Sequence, residues 1–257
     1  MAPRQRTFAS RQASDYEPAE SSTLVPKGVP AKQSSMLNQT EADIARDWHD
    51  YFNLVALVFI IATTAMNYDI DVFNLKMSWT GGHFWLNWAT TLVYFFVDLV
   101  WVAMVPICVK SPGVIIKHHI VAMIYLTAPV YWPEYRWFMG SILSVEVNTW
   151  FLIMRRVVFK TSSPVPPVVA NFVSAMFYST WILIRCIIYP GVLVTFFGLA
   201  AERIEASGTL FHWPMMFIPA HAALCVLNLK WTYDLFEPIV KKWTGKGPRT
   251  VVVQNGL

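Results

Sequence analysis

The chain has 257 residues, of which 55% are hydrophobic and only 14% charged, with a net charge of +4 and a mean hydropathy of +0.42. Soluble domains carry about a quarter charged residues, so this composition excludes an ordinary soluble fold and points to an integral membrane protein. No basic, aromatic-interleaved surface is present, which excludes nucleic acid as a partner.

Residues 1–45 contain Ser, Gln and Pro, lack apolar clusters, and read as a disordered cytoplasmic tail. The opening "MAPRQRTFASRQAS" has the Arg and Ser content of a transit peptide. Asp15, Glu17 and Glu20 follow at once, however, and no apolar core of a secretory signal is present. Apolar runs then cover 50–68, 85–109, 114–132, 137–159, 168–200 and 212–236. They predict an all-α polytopic membrane helix bundle of six transmembrane helices within 46–240, followed by a basic cytoplasmic tail over 241–257. Pro190 and Gly191 interrupt the fifth run, where a missing amide and a ring clash predict a kink or a split. A split would make seven crossings. The 12 Trp and 10 Tyr suit the aromatic belts at the two membrane interfaces. Cys108, Cys186 and Cys225 show neither disulfide nor zinc spacing and read as small buried apolar residues.

One set of loops carries Arg46, Lys110, Lys117, Arg155, Arg156 and Lys160, and the C-terminal stretch adds Lys241, Lys242, Lys246 and Arg249. The other set carries Lys76, Arg136 and Arg203 among Asp69, Asp71, Glu134, Glu202 and Glu205. The asymmetry puts both termini in the cytoplasm and favours an even number of crossings. No internal repeat suggests an inverted-repeat transporter.

An ionisable group near the bilayer centre costs about 2.5–3.5 kcal/mol on insertion scales, so each one needs a reason. Asp98 lies in the middle of the second run, and Asn87, Thr91, Tyr94 and Asp98 are spaced to form one inward-facing helical stripe. Glu146 and Thr149 are central in the fourth run, and Arg185 lies in the fifth. His221 and Asn228 share a face of the sixth, while His118 and His119 open the third beside Lys117. Such groups must pair or line a wet cavity, and a functional cavity entered from the cytoplasm is the reading adopted; structural hydrogen bonds between helices are the plainer alternative. Adjacent helical residues project about 100° apart, so the two histidines do not aim at one metal, and neither a metal nor another cofactor is expected. Proton transfer, or hydrogen bonding to a lipid headgroup, suits them better. The run boundaries put the pair about 6–8 Å deep, with Asp98 and Glu146 about 17–20 Å deep. A gap of about 10 Å would then separate them, unless Pro106 ends the second helix early or waters and a headgroup fill the space.

"KHHIVAM" opening a span, "LSVEVNTWFLIMRR" about 25 residues later, and "LNLKWTYDLF" closing the last span together resemble the TLC-domain family over roughly residues 45–240. Asp98 ahead of the histidine pair, and Arg185 followed by "IIYPG", fit the same pattern. The resemblance implies a multi-pass protein of lipid metabolism in the endoplasmic reticulum, Golgi or plasma membrane, with membrane lipids as partners. The ceramide synthase branch N-acylates sphingoid bases with acyl-CoA, and has a His-His pair followed by an H-D-x-x-D element. His118 and His119 match the pair, but Val145-Glu146 stands where His-Asp would be, and Thr149 where the second Asp would be. The sequence is thus similar to the other branches, which are linked to membrane lipid composition. The expectation is a protein that binds or handles membrane lipids, with acyl-CoA-dependent acyl transfer as the alternative. In that alternative His118 or His119 is the general base, and Asp98 or Glu146 orients it. Lys117, Arg155, Arg156 and Lys160 would meet the acyl-CoA phosphates, while Thr149, Arg185, His221 and Asn228 line the substrate site.

Overall fold

The computed structural model describes residues 41–68, 78–160 and 165–244. The tail before residue 41, the loop residues Asp69, Asp71 and Lys76, the Lys242 side chain, Lys246, Arg249 and the final "VVVQNGL" lie outside the described residues. Among those described, regular structure is helical, with an isolated antiparallel bridge between Tyr68 and Trp79.

Helix α1 covers Glu41–Ala65 and carries Glu41 and Asp43 in its first turn, where carboxylates meet the positive end of the helix dipole. It therefore starts inside the stretch read as tail and well before the apolar run at 50. Helix α2 covers Phe84–Met104 and stops short of the expected end at 109. Val105, the residue before Pro106, leaves the helical region (φ −128, ψ 66), and Pro106–Cys108 forms a 3-10 turn. Helix α3 is Pro112–Tyr131. After a 3-10 turn at Pro133–Tyr135, α4 (Trp137–Leu143) and α5 (Val145–Lys160) follow in near continuity through Ser144.

The fifth run becomes α6 (Pro167–Thr180), a π-helical stretch Trp181–Ile188 and α7 (Tyr189–Ser207), 41 residues without a reversal of the chain. The irregularity expected at Pro190 lies just upstream of it. Pro190 has no amide to donate, and its ring crowds the carbonyl four residues earlier, so the preceding turn widens to i→i+5 bonding. At 1.5 Å per residue the run is about 60 Å long, twice the bilayer's hydrocarbon thickness, so its end with Glu202, Arg203 and Glu205 extends beyond the apolar layer. Gly208 caps it in the left-handed region (φ 66, ψ 7).

Helix α8 covers Phe217–Trp243. Among the described residues five helical stretches are long and apolar enough to cross a membrane, against six expected from the sequence. Helix α8 falls short because its second half carries Lys230, Asp234, Glu237 and Lys241.

The bundle is inverted with respect to a soluble protein: Val93, Phe96 and Val100 of α2 face outward, while Asn87, Thr91, Tyr94 and Asp98 are buried. Lipid on the outside and polar contacts on the inside is the arrangement a hydrocarbon solvent selects. One end is fastened by ion pairs between α1 and α5. Arg156 grips the buried Asp50 with two bonds, Nη2 to Oδ1 at 2.6 Å and Nε to Oδ2 at 3.2 Å, and Lys160 Nζ reaches Asp47 Oδ1 at 2.6 Å.

Candidate functional site

The stripe on α2 organises the site. Tyr94 donates to Asn53 Oδ1 at 2.8 Å, and Asn53 Nδ2 donates to the His49 carbonyl one turn back at 3.0 Å. His49 Nε2 then donates to Asp98 Oδ1 at 2.7 Å, both side chains being over nine-tenths buried. From the other side His119 Nδ1 comes within 3.3 Å of Asp98 Oδ2. This approach lies off the hydrogen-bond direction, so His119 Nδ1 is left without an aligned partner. One carboxylate therefore sits between two imidazoles, firmly held by His49 and loosely by His119.

The contact corrects the gap expected between Asp98 and the histidine pair. Because α2 ends at Met104 and α3 begins at Pro112, Asp98 is six residues from its helix end and His119 seven from its own. Those separations correspond to about 9 and 10 Å, so the two residues share one level. Early termination at Pro106 closes the gap.

Arg185, on the π-helical stretch, is the centre of a second cluster. Its Nε donates to Asn148 Oδ1 at 2.8 Å and its Nη1 to Asn228 Oδ1 at 2.6 Å. Asn148 in turn donates to Thr180 Oγ1 at 3.0 Å. The guanidinium lies 4.6 Å from the Trp181 ring centroid and 5.4 Å from that of Trp231, in cation–π range. Among the described residues no carboxylate pairs directly with it, although the buried Glu146 is within its electrostatic reach. A guanidinium stays charged. Its direct contacts are amide oxygens and ring faces, which solvate the charge without neutralising it.

His118 stands between the two clusters. Its ring is 5.6 Å from His119 and 6.3 Å from Trp231, and its Nδ1 is buried without a hydrogen-bond partner. A chain of groups thus runs His49, Asp98, His119, His118, Trp231, Arg185. Thr149 is half-buried beside Glu146 and donates to the Val145 carbonyl at 3.1 Å. His221 belongs elsewhere: it is fully buried, bonds the Tyr189 carbonyl at 2.8 Å and stacks on Tyr189. Of the residues singled out in the sequence, Asp98, His118, His119, Arg185 and Asn228 come together, Glu146 lies beside them, and His221 does not join them.

Two members were missed in the sequence. His49 precedes the first apolar run, yet His49, Asn53 and Thr64 recur on one face of α1 and all are buried. Asn148 carries no charge and lies hidden between Glu146 and Thr149. In "EVNT" it directly precedes Thr149, about 100° round the helix from it, and gives only a faint signal.

Neither a curated protein nor a solved structure gives a match to this chain. The family model for the TLC domain matches residues 48–237, a stretch that starts one residue before His49 and contains both clusters. The chain belongs to the TLC-domain family.

Proposed function

We propose that the protein crosses the membrane of the endoplasmic reticulum six times, with both termini in the cytoplasm, and binds membrane lipids so as to influence lipid composition. The observation that carries this reading is Arg185: a buried cation held by two neutral amide oxygens and two indole faces, with no direct counter-charge. Burying such a charge is costly unless something compensates it. An anionic lipid headgroup supplies that compensation, and the exposed apolar faces of the bundle suit its acyl chains.

Acyl transfer from acyl-CoA is the second reading, and the His119–Asp98 approach favours it. With a small turn of the ring the Asp98 carboxylate, 3.3 Å away, would align an imidazole that takes the proton of an acceptor amine or hydroxyl as it attacks the thioester carbonyl. The imidazole would return that proton to the departing CoA thiolate. Against it, Arg156 and Lys160 are already paired with Asp50 and Asp47, which removes two of the cations that would meet the acyl-CoA phosphates.

Lipid analysis of cells expressing wild type, Arg185→Met and His118→Ala/His119→Ala separates the two, with size-exclusion profiles checking that each variant folds. The binding reading expects broad changes in phospholipid composition that Arg185→Met abolishes and the histidine variant retains at least in part. An Arg185→Met variant as effective as wild type sinks it. A new acyl lipid that disappears in the histidine variant establishes the acyltransferase instead.

The topology has its own test. Tags at both ends should be digested by protease in sealed microsomes without detergent, because the basic loops lie on the cytoplasmic side. A protected C-terminal tag would mean an odd number of crossings.

A further inference from the structure

The two clusters do not use a third set of buried polar atoms, at the other end of α3 and α8. His221 Nε2 meets the Tyr189 carbonyl at 2.8 Å, and because a carbonyl only accepts, Nε2 must carry the proton. In the neutral imidazole Nδ1 is then a bare acceptor, and it is buried with no partner. The Tyr125 hydroxyl is also buried with no partner. The two rings face each other, 6.3 Å between centroids and 29° between planes. Tyr125 is 5% exposed and His221 0%. Two orphaned polar groups this deeply buried, on rings in contact, are an unfavourable arrangement unless a third group joins them.

The chemistry of that group follows from the two atoms. It must donate to His221 Nδ1 and have a lone pair to accept from, or a further contact to share with, the Tyr125 hydroxyl. A carboxylate or phosphate offers no proton to Nδ1, and an ammonium offers no acceptor to the phenol. A neutral hydroxyl does both. The surroundings are aromatic: Tyr125 stacks on Phe138 at 5.2 Å and meets Phe217 at 5.7 Å, while Phe196 lies 5.7 Å from His221. A lone water would meet these two atoms but find no third partner among the aromatic walls, fewer than the roughly three hydrogen bonds typical of a buried water. An alcohol carrying its own hydrocarbon matches both the polar pair and the apolar walls. On the same side Phe196, whose ring meets His221, also lines with Ile218 a small cavity of about 10 Å³, the room of a single water-sized group, that touches Arg203 and His212.

We infer that Tyr125 and His221 form a second lipid subsite, which holds the hydroxyl of a neutral lipid alcohol between Tyr125 Oη and His221 Nδ1. This subsite is separate from the Arg185 cluster. Tyr125 lies six residues beyond His119 on α3, about 9 Å along the axis. It depends on the lipid-binding reading only for the class of its ligand.

The test uses the full-length protein in nanodiscs, titrated with oleyl alcohol and, in parallel, with its methyl ether, which keeps the chain and the acceptor but loses the donor. Binding is read as the rise in melting temperature and by competition against tritiated oleyl alcohol. The alcohol should bind at least tenfold more tightly than the ether. Tyr125→Phe and His221→Phe should each remove that preference, while Arg185→Met leaves it intact. Equal binding of alcohol and ether by the wild type overturns the inference and leaves a buried water as the bridging hydroxyl. A preference that persists in both ring variants also overturns it. If the lipid composition of cells is insensitive to Arg185→Met while the alcohol preference stands, the reading for Arg185 fails and the Tyr125–His221 subsite survives.

Discussion

Asp98→Asn should lower the stability of the bundle by about 2–3 kcal/mol, and most of that loss should travel through His49 rather than His119. The reason is alignment. His49 Nε2 points at Asp98 Oδ1 from 2.7 Å, a charge-assisted bond between two side chains that are 8% and 4% exposed. His119 Nδ1 is only 3.3 Å from the other oxygen, but lies off axis. Two double-mutant cycles separate the terms: Asp98→Asn with His49→Gln, and Asp98→Asn with His119→Gln, each followed by chemical unfolding in detergent micelles. The His49 cycle should give a coupling of about 1.5–3 kcal/mol and the His119 cycle less than about 1 kcal/mol. A larger coupling through His119 would show that the imidazole is locked rather than loosely held. The distinction matters for function, because only a loosely held histidine has its nitrogen available to a ligand proton.

The legibility of this molecule in its sequence follows the strength of each physical signal. The stripe Asn87, Thr91, Tyr94 and Asp98 was legible because polar side chains at helical spacing in an apolar run have nowhere else to go, and all four are buried. The end of α2 was not, because apolar residues continue through Ile107 and Val109 and hide the backbone effect of Pro106, which decided whether Asp98 could reach His119 at all. Pro190 marked a real irregularity but not its form; widened π-helical turns upstream of a proline carry no residue pattern of their own, and it is those turns that carry Arg185. Asn148 and Asn228 together hold Arg185, yet only Asn228 drew notice, through the face it shares with His221. That shared face proved misleading in one respect. His221 and Asn228 are seven residues apart on α8, about 10 Å along the axis, so one serves the Arg185 cluster and the other the Tyr125 pair.

Gly140→Ala should cost about 3 kcal/mol, a large effect for the addition of one methyl group. Gly140 lies in α4 with the Trp79 indole pressed against its Cα, and a Cβ built there overlaps the five-membered part of that ring. The indole has little freedom to withdraw. Trp79 is 3% exposed, its Nε1 donates to the Thr64 carbonyl at 3.3 Å, and its backbone bridges to Tyr68. The same turn is tied by Asn67, whose carbonyl accepts from the Thr80 amide at 2.8 Å and whose Oδ1 accepts from the His83 amide at 2.6 Å. Displacing Trp79 therefore disturbs the connection that sets α1 against α2, and with it the register that brings His49 to Asp98 at the far end of both helices. A relieving partner makes the argument testable. Trp79→Leu alone should cost about 2–4 kcal/mol through lost packing, but Gly140→Ala added to it should cost nearly nothing more, because the clash no longer exists. Thermal unfolding of the two single variants and the double variant in nanodiscs gives the comparison. Additive losses would show that the Cβ meets something other than the indole, and that the Trp79–Gly140 contact does not set the α1–α2 register.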